Sequence, residues 1–153
     1  MNAVSKETGE NNAAGSDQHA QRVVDRHIYL QDFRNVKVWR RSHELTLVLY
    51  KSVRRFRKGD FEIASQMKRA AISVESNIAE GSSRSTDSDY RRFLFMAMGS
   101  LSELHCQVIL AKDLSLIVPA EFGGVCSLIV EVRRMLWSLI GRLNQSIEQD
   151  RAR

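Results

Sequence analysis

The sequence predicts an all-α protein, folded as an antiparallel, up-down-up-down four-helix bundle over residues 32–148. Apolar side chains recur at helical spacing in four segments, whereas the alternation of a half-buried strand never extends beyond a few residues. The chain of 153 residues has one proline and eight glycines, and Gly59, Gly81 and Pro119 fall between the periodic segments. Four amphipathic helices joined by short connections form an antiparallel bundle, and this length suffices to bury one sizeable core.

The two ends of the chain are predicted to lie outside the bundle. Residues 1–31 are expected to form a disordered tail, and residues 149–153 a short C-terminal tail. The first 21 residues contain a single valine and no helical periodicity, so burial cannot offset the entropy lost on ordering. A docking arm is the alternative for the rest of this segment, because apolar residues collect between Val23 and Leu30.

The first two helices are expected at Val36–Lys58 and Asp60–Glu80. The core stripe of the first consists of Val38, Leu45, Leu49, Val53 and Phe56. The core stripe of the second is dominated by small residues, which allow a neighbouring helix to approach closely: Ile63, Met67, Ala70, Ala71, Val74 and Ile78. Gly59 is predicted to cap the end of the first helix, Asp60 to cap the start of the second, and Gly81 to end it.

The third helix, expected at Ser88–Leu114, is apolar nearly all round. Thr86, three residues before Asp89, is expected to cap its N-terminus. One face is predicted to join the core: Tyr90, Phe93, Leu94, Ala97, Leu101, Leu104 and Val108. Large apolar side chains elsewhere on this helix and on the second are predicted to form an oligomer interface: Phe95, Met96, Leu110, Leu114 and Ile72. Because a monomeric bundle would cover only one face, we expect a closed, ring-shaped homo-oligomer.

The fourth helix is expected at Val125–Ile147. Pro119 suits its first turn, and the pair Gly123–Gly124 is predicted to delay the regular helix by a turn. From Val125 onward the apolar spacing is regular, with Leu128, Ile129, Val132, Leu136, Leu139, Ile140 and Leu143 on one face.

No catalytic constellation is evident, so we expect neither an enzyme nor a metal or cofactor site. The HExxH, GxSxG and phosphate-cradling glycine motifs are missing from the sequence. Glu80 and Glu103 lack a third acid or histidine partner in the pattern, and we interpret them as acceptors of hydrogen bonds within the fold. Structural roles are likewise favoured for His43 and His105.

Cysteine usage and hydropathy predict the compartment. Cys106 and Cys126 lie in apolar helical segments and form no CxxC pair, which favours buried free thiols in a reducing environment. The sequence shows neither a signal-peptide pattern nor an apolar run of membrane-spanning length. A cytoplasmic protein is therefore expected.

Basic residues form the only candidate functional surface, in a chain whose formal net charge is +5. The predicted nucleic-acid contacts lie on the outward arc of the first helix and in the turn after the second: Arg40, Arg41, Lys51, Arg54, Arg55, Lys58 and Arg84. Because no aromatic stacking platform accompanies these residues, phosphate-directed and sequence-tolerant binding of RNA or DNA is favoured. The alternative is a solvated face that neighbouring acidic side chains balance.

Residues 65–85 carry the most specific pattern in the chain. It comprises Ser65–Ser73, Asn77–Gly81 and Ser83–Ser85, with further matches at Phe33–Trp39 and Phe93–Leu114. This pattern resembles the four-helix-bundle protein family of ribosomal RNA gene intervening sequences, related to the accessory (Avd-like) proteins of diversity-generating retroelements. The resemblance implies a four-helix bundle, a barrel-like homopentamer and a basic surface that binds nucleic acid.

The same resemblance implies a partner, since the retroelement proteins accompany a reverse transcriptase and its RNA. Val74–Glu75 departs from the family pattern, because many relatives carry an Ile-Pro pair there, so a proline kink is not expected. Two functions follow from the sequence. One is a non-enzymatic, oligomeric nucleic-acid-binding accessory or scaffold protein. The alternative is a protein-interaction or structural module without a nucleic-acid role.

Overall fold

A computed structural model of the protein describes residues 32–152. Within them lie four helices, namely α1 at Lys37–Val53, α2 at Phe61–Ser82, α3 at Asp87–Asp113 and α4 at Pro119–Arg151. Short 3-10 turns at Phe33–Asn35 and Lys58–Asp60 precede α1 and α2. Residues 32–152 contain no strand, which confirms the predicted all-α class. The tail predicted for residues 1–31 lies outside the described residues.

Contacts between helices show that each helix runs antiparallel to its neighbours, because rising residue numbers on one pair with falling numbers on the next. The defining contacts are His43–Glu75 and Thr46–Ala71 between α1 and α2, Ser73–Ser100 between α2 and α3, Arg91–Asn144 and His105–Arg133 between α3 and α4, and Arg41–Glu131 and Arg55–Glu121 between α4 and α1. Each helix packs on its neighbours in the chain, and α4 also packs on α1. Among the described residues α1 does not pack on α3, so these two helices lie diagonally opposite each other.

The core is built from the apolar stripes that the sequence predicts. Its largest fully buried side chains come from all four helices: Leu45, Leu49, Met67, Val74, Ile78, Leu94, Leu101, Leu104, Val108, Ile129, Leu136 and Ile140. Full burial of such a side chain contributes roughly 1.5–3 kcal/mol relative to exposure, so this shared core accounts for the bundle. Ala70 and Ala71 are buried on α2, as expected for a helix that lets its neighbours come close.

The connection between α1 and α2 differs from the prediction. α1 ends at Val53 and not at Lys58. Val53 is the last buried residue of the helix, and Arg55 and Phe56 then donate backbone hydrogen bonds to carbonyls three residues back. Bonds of this 3-10 type tighten the chain into a turn, in which Phe56 still packs against the core.

Of the predicted caps in this connection, the position of Asp60 is confirmed and the C-terminal cap at Gly59 is wrong. Gly59 lies inside the 3-10 turn without a positive φ, so it does not act as a left-handed C-terminal cap. Asp60 occupies the N-cap position of α2, but its side chain makes no capping hydrogen bond. By contrast, the predicted cap of α3 is confirmed, since Thr86 Oγ1 accepts a 3.1 Å hydrogen bond from the backbone N–H of Asp89.

Two glycine predictions are corrected as well. α2 continues past Gly81 to Ser82, and Gly81 is a buried packing position. α4 begins at Pro119 and includes Gly123 and Gly124, so the glycine pair does not delay it. Its end is later than predicted too, because the helix continues to Arg151 through residues assigned above to a C-terminal tail.

Candidate nucleic-acid interface

Four of the predicted basic residues form an exposed line along α1 and the turn that follows it. Arg40 and Lys51 share the outward arc of α1, and Arg54 and Lys58 are exposed in the turn that follows it. None of the four forms an ion pair with another residue in the described range 32–152. We call this set the cationic strip. Within α1 it spans about 16 Å from Arg40 to Lys51, at a rise of about 1.5 Å per residue.

Arg41 and Arg55 are not part of the strip, because carboxylates on α4 bind them. Arg41 donates a hydrogen bond to Glu131 at 2.5 Å and also forms an ion pair with Glu44, three residues further along α1. The hydrogen bond to Glu131, and to a smaller extent the one to Glu44, raises the pKa of the Arg41 guanidinium. Arg55 pairs with Glu121 in the first turn of α4. Arg41 therefore joins α1 to α4, and Arg55 joins the turn after α1 to α4. The sequence prediction of a free basic arc did not anticipate either pair.

Arg84 is likewise held within the fold. It pairs with Glu80 one helical turn back, and its guanidinium carbon lies 4.5 Å from the centre of the Phe93 ring. Arg92 covers the same ring at 4.9 Å. Arg84 thus connects the end of α2 to the start of α3 and lies away from the cationic strip.

The apolar residues predicted for an oligomer interface are exposed on the structure. Phe95, Met96, Leu110 and Leu114 lie on or directly after α3 and are about half exposed, and Ile72 on α2 is 41% exposed. The sequence reasoning missed three further exposed side chains, Ile109 on α3 and Val130 and Trp137 on α4. The rings of Phe95 and Trp137 meet edge to face across the two helices, with centroids 6.0 Å apart. We call the eight residues together the apolar face.

This face gives α3 an unusual composition. Among the described helices, α3 alone is long and apolar enough to cross a membrane by length and composition, so the prediction that no apolar run reaches this length is wrong. Its core stripe is nevertheless buried against the other helices of the bundle. The high hydropathy of α3 therefore comes from carrying both a core stripe and an exposed apolar face.

The acidic and histidine candidates have partners in the fold. Glu80 pairs with Arg84, and Glu103 accepts a hydrogen bond from Gln107 at 3.0 Å. His43 lies 2.9 Å from Glu75 and stacks on Trp39. No group of three or more metal-binding side chains is found within residues 32–152.

One feature had no signal in the sequence. A pocket opens between the first turn of α1 and the C-terminal half of α4, with Lys37, Arg134 and Arg142 in its lining. Arg134 and Arg142 lie two turns apart on α4, and the antiparallel contact of α1 with α4 brings Lys37 to them. Helical periodicity is a local signal and could not show that residues of α1 and α4 share a pocket.

These features define a class, a four-helix-bundle protein with a cationic strip on one helix and an apolar face on the diagonally opposite one. Residues 34–138 match the sequence model of the 23S rRNA-intervening sequence protein family, and the chain belongs to this family. No curated protein shows significant similarity to it. The match runs from the turn before α1 into α4 and confirms the family that the pattern in residues 65–85 resembles. The relation to the retroelement accessory proteins stays a prediction.

Proposed function

We propose that the protein is a non-enzymatic, cytoplasmic accessory or scaffold protein that assembles into a homo-oligomer and binds the backbone of a nucleic acid through the cationic strip. The observation that carries this proposal is the exposure of Arg40, Lys51, Arg54 and Lys58 without ion-pair partners in residues 32–152. Lysine and arginine side chains in this state neutralise phosphates and release condensed counterions, which is the main source of sequence-independent affinity.

The acidic residues near the strip support this assignment. Glu44, Glu121 and Glu131 could oppose a polyanion, but each is bound to Arg41 or Arg55. Their charges are therefore offset locally, and the field of the strip stays positive. Two cations about 16 Å apart on one arc of α1, with two more exposed in the turn after it, can contact several phosphates of one strand.

Membership of the 23S rRNA-intervening sequence protein family favours RNA over DNA as the nucleic acid. The family description connects its members with ribosomal RNA genes and thus with an RNA-related role. The resemblance to retroelement accessory proteins adds a reverse transcriptase and its RNA as candidate partners. The proposal that the homo-oligomer has five subunits rests on this resemblance alone.

A second candidate function rests on a different observation. The apolar face exposes the aromatic pair Phe95–Trp137 together with aliphatic residues of α2, α3 and α4. Exposed apolar patches mark sites of protein association when their residues are contiguous, and Phe95 and Trp137 are in contact. A protein-interaction module would use this face alone, and its cationic strip would only be a solvated surface.

The test is RNA binding by fluorescence anisotropy over a series of salt concentrations. If each strip neutralises about four phosphates of a single strand, the logarithm of the binding constant should fall with the logarithm of the salt concentration at a slope of about −3 per strip. The double variant Arg54→Gln, Lys58→Gln should bind all sequences more weakly and reduce this slope by about half. Both residues lie beyond the end of α1 and are exposed, so the fold should be retained.

The matched control is Arg92→Gln, Lys112→Gln, which removes the same charge from α3, diagonally opposite the strip. It should leave binding nearly unchanged. Equal weakening by both double variants would mean that net charge acts rather than the strip. No binding of RNA or DNA at low salt would overturn the proposal in favour of the protein-interaction module.

A further inference from the structure

The pocket between α1 and α4 has the size and lining of a ligand site. Its volume is about 770 Å³, within the range of roughly 300–1,000 Å³ that is usual for small-molecule pockets. Apolar side chains make up one part of the lining, namely Val36, Val38, Met135 and Leu139. Tyr90 adds an aromatic ring, and Asn35 and Ser138 add exposed polar groups. An occupant should therefore have both an apolar body and polar groups.

The charges of the pocket select an anion. Lys37, Arg134 and Arg142 are exposed, and none forms an ion pair with another residue of the described range. The single carboxylate in the lining, that of Glu131, is engaged by Arg41 at 2.5 Å. Three cations thus face the pocket, and its one carboxylate is offset by an arginine that lies outside the lining.

The field of these cations reaches the pocket wall. Burial raises the pKa of Tyr90 to about 12, and the charge of Arg142 acts in the opposite direction by favouring the phenolate. The guanidinium of Arg142 therefore interacts with the aromatic side of the pocket. An anion bound beside Arg142 would lie next to the Tyr90 ring.

We propose that this pocket binds one nucleotide unit of the RNA, with its phosphate held by Lys37, Arg134 and Arg142 and its base against Tyr90 and the apolar lining. This inference rests on the proposed function. Arginine and lysine are the usual ligands of phosphate, and aromatic rings accept bases by stacking. Inorganic phosphate would leave the apolar lining unused, whereas a neutral apolar molecule would leave the three cations unpaired.

The position of the pocket relative to the cationic strip supports the same occupant. Lys37 precedes Arg40 by three residues on α1, a distance of about 4.5 Å along the helix axis. A strand whose phosphates follow the strip would therefore arrive at the pocket within about one nucleotide step. The pocket would hold a nucleotide in place, while the strip supplies affinity that does not depend on sequence.

The experiment is isothermal titration of the full chain with adenosine 5′-monophosphate, adenosine and inorganic phosphate. We expect the nucleotide to bind at least about tenfold more tightly than either part alone, because only the nucleotide uses both the cations and the apolar lining. The variant Arg134→Gln, Arg142→Gln should weaken nucleotide binding by about tenfold or more. Arg92→Gln, Lys112→Gln removes the same charge elsewhere and should have no effect.

A second variant distinguishes loss of the pocket from a simple loss of positive charge. Ser138→Trp places a bulky group at an exposed position of the lining, and it should block the nucleotide without changing net charge. Thermal unfolding of each variant checks that the bundle is intact. Unchanged nucleotide binding in both pocket variants would overturn the proposal. Phosphate or adenosine binding as tightly as the nucleotide would do so too, as would tighter binding of an acyl anion such as dodecanoate.

The strip variant Arg54→Gln, Lys58→Gln separates this proposal from the proposed function. If RNA binding depends on the strip while nucleotide binding ignores the pocket variants, only the pocket proposal fails. If nucleotide binding depends on the pocket while RNA binding ignores the strip, the pocket stands and the role of the strip fails.

Discussion

At Gly81, α2 and α3 lie too close together for a side chain to fit between them. A Cβ atom at this position would lie 2.8 Å from Phe93 Cβ and 2.8 Å from Tyr90 Cδ2. Phe93 Cβ is attached to the backbone of α3 and cannot rotate away. We expect Gly81→Ala to lower the free energy of unfolding by about 1–3 kcal/mol, measured by urea denaturation, because the helices must separate.

Gly141→Ala is the matched control for this substitution. Gly141 lies inside α4, and nothing lies within 4 Å of an added Cβ. Alanine has the higher helix propensity, so this variant should gain about 0.5–1 kcal/mol. Equal stability changes in the two variants would show that an added Cβ fits at position 81 and that close packing does not require glycine there.

Tyr90 should make the stability depend on alkaline pH. Burial raises its pKa to about 12 in the folded protein, above the usual value of about 10 in an unfolded chain. The folded state therefore keeps a proton that the unfolded state releases. The stability from this difference is complete below about pH 10 and is lost as the pH rises from about 10 to 12.

The variant Tyr90→Phe removes this loss. Between about pH 9 and pH 11, we expect the free energy of unfolding of the parent protein to fall by about 1 kcal/mol more than that of Tyr90→Phe. Urea denaturation at the two pH values measures the difference. If the difference in absorbance titration between the parent and Tyr90→Phe gives Tyr90 its ordinary pKa of about 10, the burial effect is absent.

Among the helices, α3 depends most clearly on a single capping residue. Thr86 Oγ1 accepts from the backbone N–H of Asp89 at 3.1 Å and lies 3.0 Å from a carboxylate oxygen of the same residue. Thr86→Ala should cost about 1 kcal/mol of unfolding free energy, whereas Thr86→Ser should retain most of it, because serine keeps the hydroxyl. A loss of the same size in both variants would show that the threonine methyl group matters and the cap does not.

The helices themselves could be predicted because periodicity is a local signal that the core reinforces. Leu45, Leu101 and Leu136 are buried as their spacing predicts. Helix ends were harder to predict, because several sequences can end a helix. α1 ends at Val53, before the glycine that carried the prediction, although Phe56 in the following turn still packs against the core. Gly123–Gly124 remains helical within the long α4.

The candidate site shows the same division between local and distant information. The outward arc of α1 follows from helical spacing, so Arg40 and Lys51 were correctly placed on the surface. The partners of Arg41 and Arg55 are carboxylates on α4, and neither pair could be read from spacing within α1. The pocket around Arg134 and Arg142 was missed for the same reason.

On the scale of the whole bundle, the cationic strip and the apolar face belong to helices that are diagonally opposite. α1 carries the strip and α3 most of the apolar face, and the two helices do not pack on each other within the described residues. An assembly that buries the apolar face would therefore leave the strips free. Repeating a strip on every subunit would raise the avidity for a long polyanion without any new type of contact.

The last prediction is that this apolar face drives self-association. Each large side chain on it is already about half buried, so covering the remainder contributes about 1 kcal/mol per residue, and eight residues per subunit suffice for a stable interface. Light scattering should therefore show an oligomer at micromolar concentration, and the double variant Phe95→Glu, Leu110→Glu should be a folded monomer. Leu47→Glu is the matched control, because Leu47 is equally exposed but lies on α1.

The control should remain assembled, since it lies on the opposite side of the bundle from the apolar face. The monomeric variant should still bind RNA through its own strip, but with lower affinity and a shallower dependence on salt, because fewer phosphates are engaged at once. A parent protein that is monomeric at micromolar concentration contradicts this prediction. An assembly that Leu47→Glu disrupts and the α3 variant does not would place the interface on α1, and the strip would then be covered by a neighbouring subunit.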